Sequence, residues 1–114
     1  MNCRQKLVSL AVALLCCTSA QATDADIADA LIRRNNCSKC HDVAKEDTVG
    51  PSFKVTANKY RDNAQAEEKL ITHLTTAPVV KFPDGSTDEH RIVRTTPSDD
   101  MEQLKGLIRW ILSH

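Results

Sequence analysis

Cys37-Ser38-Lys39-Cys40-His41 is the stretch that decides the fold of this 114-residue chain. It sets two thiols three residues apart, with an imidazole directly after the second. At that spacing each thiol can bond one vinyl-derived carbon of a porphyrin while the next residue reaches its iron, and CxxCH is the spacing of haem attachment. Cys37 and Cys40 are therefore the candidate covalent anchors of one haem c, and His41 is its candidate proximal iron ligand. Two thiolates and a histidine also suit zinc, with a fourth ligand drawn from His73, His90 or His114. A redox-active CxxC usually sits beside a βαβ pattern, which this sequence lacks.

The ring nitrogen of His41 that does not face iron needs an acceptor to fix its tautomer and orientation. Gly50-Pro51 follows a polar stretch from Asp42 to Val49, and the Pro51 carbonyl is the candidate acceptor. Upstream, Thr23 or Asp24 can cap a helix that runs to about Asn36. Asp24, Asp26 and Asp29 suit its positive end, and Arg33 and Arg34 its negative end. Ile27 and Leu31 mark its apolar face.

Downstream, a short helix is expected from Ser52 to about Tyr60 and a stronger one from Ala64 to Thr75, with Leu70, Ile71 and Leu74 on one side. Pro78 closes it. Residues 76–97 contain Pro78, Pro83, Gly85 and Pro97 with no sustained period and read as one long loop, of a length that is usually functional. Ser98 is the expected cap of a last helix carrying Met101, Leu104, Ile108 and Ile111 at helical spacing, widened by Leu107 and Leu112. No strand pattern or repeat is evident, so the expected class is all-α.

MNCRQKLVSLAVALLCCTSAQA has the three parts of a secretory signal: Arg4 and Lys6, an uncharged run from Leu7 to Cys17, and Ala20-Gln21-Ala22 before the cut. Eleven uncharged residues fall well short of the ~20 that a spanning helix needs. The expected organisation is thus a cleaved signal peptide at residues 1–22 and one domain at 23–114. Cleavage removes Cys3, Cys16 and Cys17, so only Cys37 and Cys40 remain of five cysteines. It also leaves 13 basic against 15 acidic side chains, a formal charge of −2, which implies neither nucleic acid nor anionic lipid as a partner. A domain this small buries a modest share of its surface and commonly needs a metal or cross-link, a part that a buried haem would fill.

CSKCH at 37–41, VGPSF at 49–53, NKY at 58–60 and LKGLIRWIL around Trp110 occur in that order across Thr23–His114. Together they resemble a small bacterial class I c-type cytochrome with one haem. The resemblance implies about four helices around a covalently attached haem, with the first and last helices crossing. It also implies that Pro51 accepts from the proximal histidine, and that the haem lies edge-exposed in a hydrophobic crevice.

The family usually supplies its sixth iron ligand as a methionine in the loop before the last helix, and residues 76–97 contain none. His90, in Asp88-Glu89-His90-Arg91-Ile92, stands near that place and is the expected distal ligand. Met101 is the alternative, although it continues an apolar stripe and reads better as core. His73 reads as a structural histidine inside its helix, and His114 lies at the chain end. Trp110 reads as a helix-packing aromatic. Lys81, Arg91 and Arg94 are candidate partners of haem propionates or simply surface charges.

A haem with both axial places filled by protein has no position for oxygen or peroxide, so its use is outer-sphere electron transfer. The expectation is an exported, periplasmic carrier and not an enzyme, monomeric and docking transiently on redox proteins. Imidazole in place of thioether predicts a low potential. An open or labile sixth position would instead make a haem enzyme or a gas-binding or peroxide-binding protein. A subunit of a larger oxidoreductase would share the carrier's chemistry.

Overall fold

The computed structural model of the chain describes residues 20–46 and 48–114, and the expected leader, except for its last three residues, lies outside the described residues. Helix α1 spans Asp24–Arg34. Thr23 starts it as expected: its hydroxyl accepts from the Asp26 amide at 3.2 Å, and the Asp26 carboxylate accepts from the Thr23 amide at 3.0 Å. This reciprocal pairing satisfies amides that the first turn would otherwise leave unpaired. Asn35 ends the helix, and Asn36 follows at φ 54°. Asparagine tolerates that left-handed backbone, and it turns the chain out of the helix just ahead of Cys37.

Helix α2 covers Phe53–Tyr60, with the Ser52 hydroxyl accepting from the Val55 amide at 3.1 Å, and helix α3 covers Ala66–Thr75. Helix α4 covers Met101–Leu112. Its start lies beyond the expected Ser98, because Asp99 sits at φ 60° and breaks the helical path there. Asp100 is the cap instead, its carboxylate accepting from the Gln103 amide at 3.1 Å. The buried Thr95 hydroxyl holds this junction by accepting from the Asp100 amide at 2.8 Å and donating to the Pro97 carbonyl at 2.7 Å.

Residues 76–97 are not wholly irregular. Strands β1 (Val79–Lys81) and β2 (Thr87–Glu89) pair antiparallel, with Val79 opposite Glu89 and Lys81 opposite Thr87. Pro83-Asp84-Gly85 makes the turn, with Gly85 at φ 88° and its amide donating to the Phe82 carbonyl at 2.9 Å. Proline, then aspartate, then a glycine able to take a left-handed backbone is a turn sequence. The strands escape a reading by alternation because they are short and almost wholly exposed, so neither face is marked apolar.

The core joins Ala28 and Leu31 of α1, Phe53 of α2, Leu70 and Leu74 of α3, and Leu104, Leu107, Ile108 and Ile111 of α4. Helices α1 and α4 form its largest contact, and α4 also packs on α2 and α3. Gly106 permits the close approach of α1: a Cβ there would lie 3.0 Å from Ile27 Cδ1. Met101 is not core, being 43% exposed. A helical side chain leans over the turn preceding its own Cα, and the first residue of α4 has no such turn to cover.

Candidate functional site

Cys37–Lys39 forms a single 3₁₀ turn, closed by the Cys40 and His41 amides donating to the Cys37 carbonyl at 3.1 and 3.0 Å. The turn holds Cys37 and Cys40 half-buried, and no disulfide links them. Burial is the main cause that pushes the Cys37 thiol up, which suits a neutral thiol in an apolar wall.

His41 is clamped from three sides. Its Nδ1 lies 2.7 Å from the Pro51 carbonyl oxygen. A carbonyl only accepts, so Nδ1 donates in this contact, and Nε2 is the ring nitrogen left to face a metal. The Gly50 amide donates to the Cys40 carbonyl at 2.6 Å, which pins the Gly50-Pro51 corner against the turn. A Cβ on Gly50 would stand 2.6 Å from His41 Cε1, so only glycine fits under this ring. Phe53 stacks on His41 with centroids 5.8 Å apart, and Trp110 meets Phe53 edge-on at 5.4 Å. Trp110 is thus a packing aromatic behind Phe53 and His41, and His114 in turn lies against Trp110 at 4.4 Å.

The hairpin brings His90 close to His41. Strand β2 ends at Glu89, and the His90 amide donates to the Pro78 carbonyl at 2.8 Å. The His90 Nδ1 lies 2.8 Å from the Arg91 carbonyl oxygen, which again leaves Nε2 as the nitrogen to face a metal. Burial is the first cause that lowers the His90 pKa, opposed by the bond to the Arg91 carbonyl and aided by His41, a direction that favours the neutral imidazole. The His41 and His90 rings lie 6.0 Å apart, centroid to centroid. Bonds from a metal to imidazole nitrogen are about 2 Å, and with ring radii of about 1 Å two imidazoles sharing one metal ion stand about 6 Å apart.

His73 of α3 also reaches this place, its ring 4.5 Å from that of His90. Nothing in its helix stripe distinguished it from an ordinary structural histidine, and its proximity to His90 follows from the chain's return through the hairpin. Lys81, Arg91 and Arg94 are exposed and form no ion pair among the described residues. A cleft of about 430 Å³ opens between Thr48-Val49 and the hairpin tip at Phe82, Pro83, Asp84 and Ser86. Val49, Val79 and Ile92 add exposed apolar surface on the same elements. His41 itself lines a separate cleft of about 260 Å³, together with Phe53, Trp110, Ile32 and Val43. Two imidazoles 6.0 Å apart, centroid to centroid, and two thiols on the turn just before one of them fit a covalently held haem. Zinc is less well served, since no group of three or more His, Cys, Asp or Glu converges on a metal position among the described residues.

Comparison with known proteins agrees. The chain is 30% identical over 82 residues to cytochrome c-551 of Allochromatium vinosum, covering 72% of this chain and 80% of that protein. Its fold is similar to that of the class 1 cytochrome MtoD of Sideroxydans lithotrophicus ES-1, with TM-score 0.72 and 48% identity, covering 81% of this chain and 97% of that one. It is also similar to cytochrome c552 of Nitrosomonas europaea, with TM-score 0.54 and 27% identity over 75% of this chain and 96% of that one. The cytochrome c family model matches residues 20–114. The chain therefore belongs to the cytochrome c family, with a class I fold and covalently attached haem c as its cofactor.

Proposed function

We propose that the chain is a periplasmic electron-transfer carrier of low potential, with His41 and His90 as the two axial ligands. The 6.0 Å separation of the two imidazole rings carries this reading. Haem c supplies a one-electron iron couple. Cys37 and Cys40 would bind it through thioethers, and His41 would ligate through Nε2 while Nδ1 donates to Pro51. That hydrogen bond raises the basicity of the imidazole and favours the oxidised metal. His90 would ligate through Nε2 from the distal side. An imidazole there, in place of a thioether, moves the potential in the same downward direction.

With both axial places filled by protein, substrate has no route to the metal, and the reading is a carrier and not an enzyme. Residues 1–22 are read as the export signal, cut before Thr23, the cap of α1. The exported domain would work as a monomer that docks transiently on redox proteins.

An optical spectrum of the haem-loaded protein tests the ligation. A low-spin form without a sulfur-to-iron charge-transfer band is expected, and His90→Ala should open the sixth position and let the ferrous protein bind carbon monoxide. A high-spin ferric wild type, or a His90→Ala spectrum identical to wild type, overturns it.

A further inference from the structure

The segment that follows His90 is tied to its surroundings by backbone bonds at three points. The His90 amide reaches Pro78 at 2.8 Å and the Val93 amide reaches the Leu74 carbonyl at 2.9 Å. Both belong to the α3 and hairpin side of the molecule. The third point crosses to the proximal side. Asn35, two residues before Cys37, accepts from the Arg94 amide at 2.8 Å through Oδ1 and donates to the Arg94 carbonyl at 3.1 Å through Nδ2. The same Nδ2 also donates to the Leu31 carbonyl at 2.9 Å, so the carboxamide is fixed to the end of α1.

Among the described residues these are the only hydrogen bonds joining the chain around CSKCH to the segment after His90. The side-chain amide pairs with a peptide unit as a strand neighbour would, which fixes distance and orientation together. The chain from Asn36 to His41 is itself closed by turn bonds. Asn35 therefore stands on a short, stiff lead to His41, and Arg94 follows His90 closely along the chain.

We infer that Asn35 is a positioning residue for the distal ligand, holding the 90–94 segment against the CSKCH turn so that His90 stays in reach of the metal. This rests on the reading of His90 as the sixth ligand. Loss of the clamp should free the segment to swing away with His90, which is the step that an incoming ligand must await.

The test uses the ferric, haem-loaded protein and imidazole as the probe. Asn35→Ala should accelerate imidazole binding about tenfold, the effect of losing hydrogen bonds of ordinary strength. Thr23→Ala serves as the comparison, since it removes the cap at the far end of the same helix. It should stay within about twofold of wild type. An unchanged rate in Asn35→Ala, or equal acceleration in both variants, overturns the inference.

Should Asn35→Ala fail to accumulate with haem, amide hydrogen exchange of the wild-type holoprotein decides instead. Saturating imidazole should unprotect the His90 and Arg94 amides together, and an Arg94 amide still protected after imidazole binding overturns the clamp. The underlying ligation falls separately, if His90→Ala keeps the wild-type low-spin spectrum. If that spectrum is lost while Asn35→Ala binds imidazole at the wild-type rate, only the clamp is wrong.

Discussion

Gly50→Ala separates a steric role at the proximal histidine from a merely conformational one. Gly50 does not lie at positive φ. On backbone grounds alone alanine should therefore stabilise, by about 0.4–1 kcal/mol, because it narrows the unfolded ensemble. The contacts predict the opposite sign. A Cβ would stand 2.6 Å from His41 Cε1, 2.8 Å from its Nδ1 and 3.0 Å from the Cys40 carbonyl oxygen. Ordinary carbon contacts are about 3.5–4.0 Å, so the ring must shift by about 1 Å. It is held on one side by Pro51 at 2.7 Å and stacked on Phe53. Overpacking of this kind costs about 1–3 kcal/mol, and breaking the His41 hydrogen bond costs about 1 more. The net destabilisation is about 1–3 kcal/mol after the entropic offset, a fall in melting temperature of roughly 5–20 °C for a domain of this size. Thermal unfolding of the haem-loaded variant measures it, and the potential should rise as the His41 imidazole loses its acceptor. A melting temperature equal to or above wild type would refute the steric argument.

Gly85→Ala probes the hairpin without touching the site, since nothing lies within 4 Å of the added carbon and only its φ of 88° is strained. Alanine there should cost about 1–2 kcal/mol and speed exogenous ligand entry at the distal side, measured by stopped flow with imidazole. The exposed pair of Arg109 and Asp24 gives a pH signature. Hydrogen bonds from Arg109 hold the Asp24 carboxyl below the usual carboxylate range. A depressed carboxylate contributes stability that is present above about pH 4 and lost as the pH falls through its folded value. Wild type and Asp24→Asn should therefore differ most in urea midpoint near neutral pH and draw together as the pH falls below the carboxylate range, and a gap independent of pH would show that the pair contributes nothing.

The parts legible in the sequence are those whose signal is local. The CSKCH turn, the cap at Thr23, the short helix from Ser52 and the stripe of Leu104, Ile108 and Ile111 each depend on residues within one or two helical turns of one another. Errors arose where a local cue competed with a better one nearby. Ser98 is a good cap residue, yet Asp99 takes a left-handed backbone and hands the task to Asp100. Met101 fits the apolar period but has no turn beneath it. The hairpin carried a legible turn at Pro83-Asp84-Gly85, but strands exposed on both faces gave no alternation to support it. The Asn35 contact with Arg94 spans 59 residues of sequence and has no periodic trace at either end.

The two imidazoles present the same chemistry on unequal supports. Each donates from Nδ1 to a backbone carbonyl, which leaves Nε2 as the nitrogen free to meet a metal. His41 is fixed by the Gly50-Pro51 corner and by Phe53, a core residue that Trp110 backs in turn. His90 follows an exposed three-residue strand and accepts its orientation from the next residue along the chain. Local opening is drawn from segments with few buried apolar contacts and many exposed backbone bonds. The distal side meets that description and the proximal side does not. Exchange at the sixth position should therefore proceed through movement of residues 90–94 while the helices and the His41 clamp remain intact. Stability of the domain and mobility of the His90 segment are then separate properties, set by different residues.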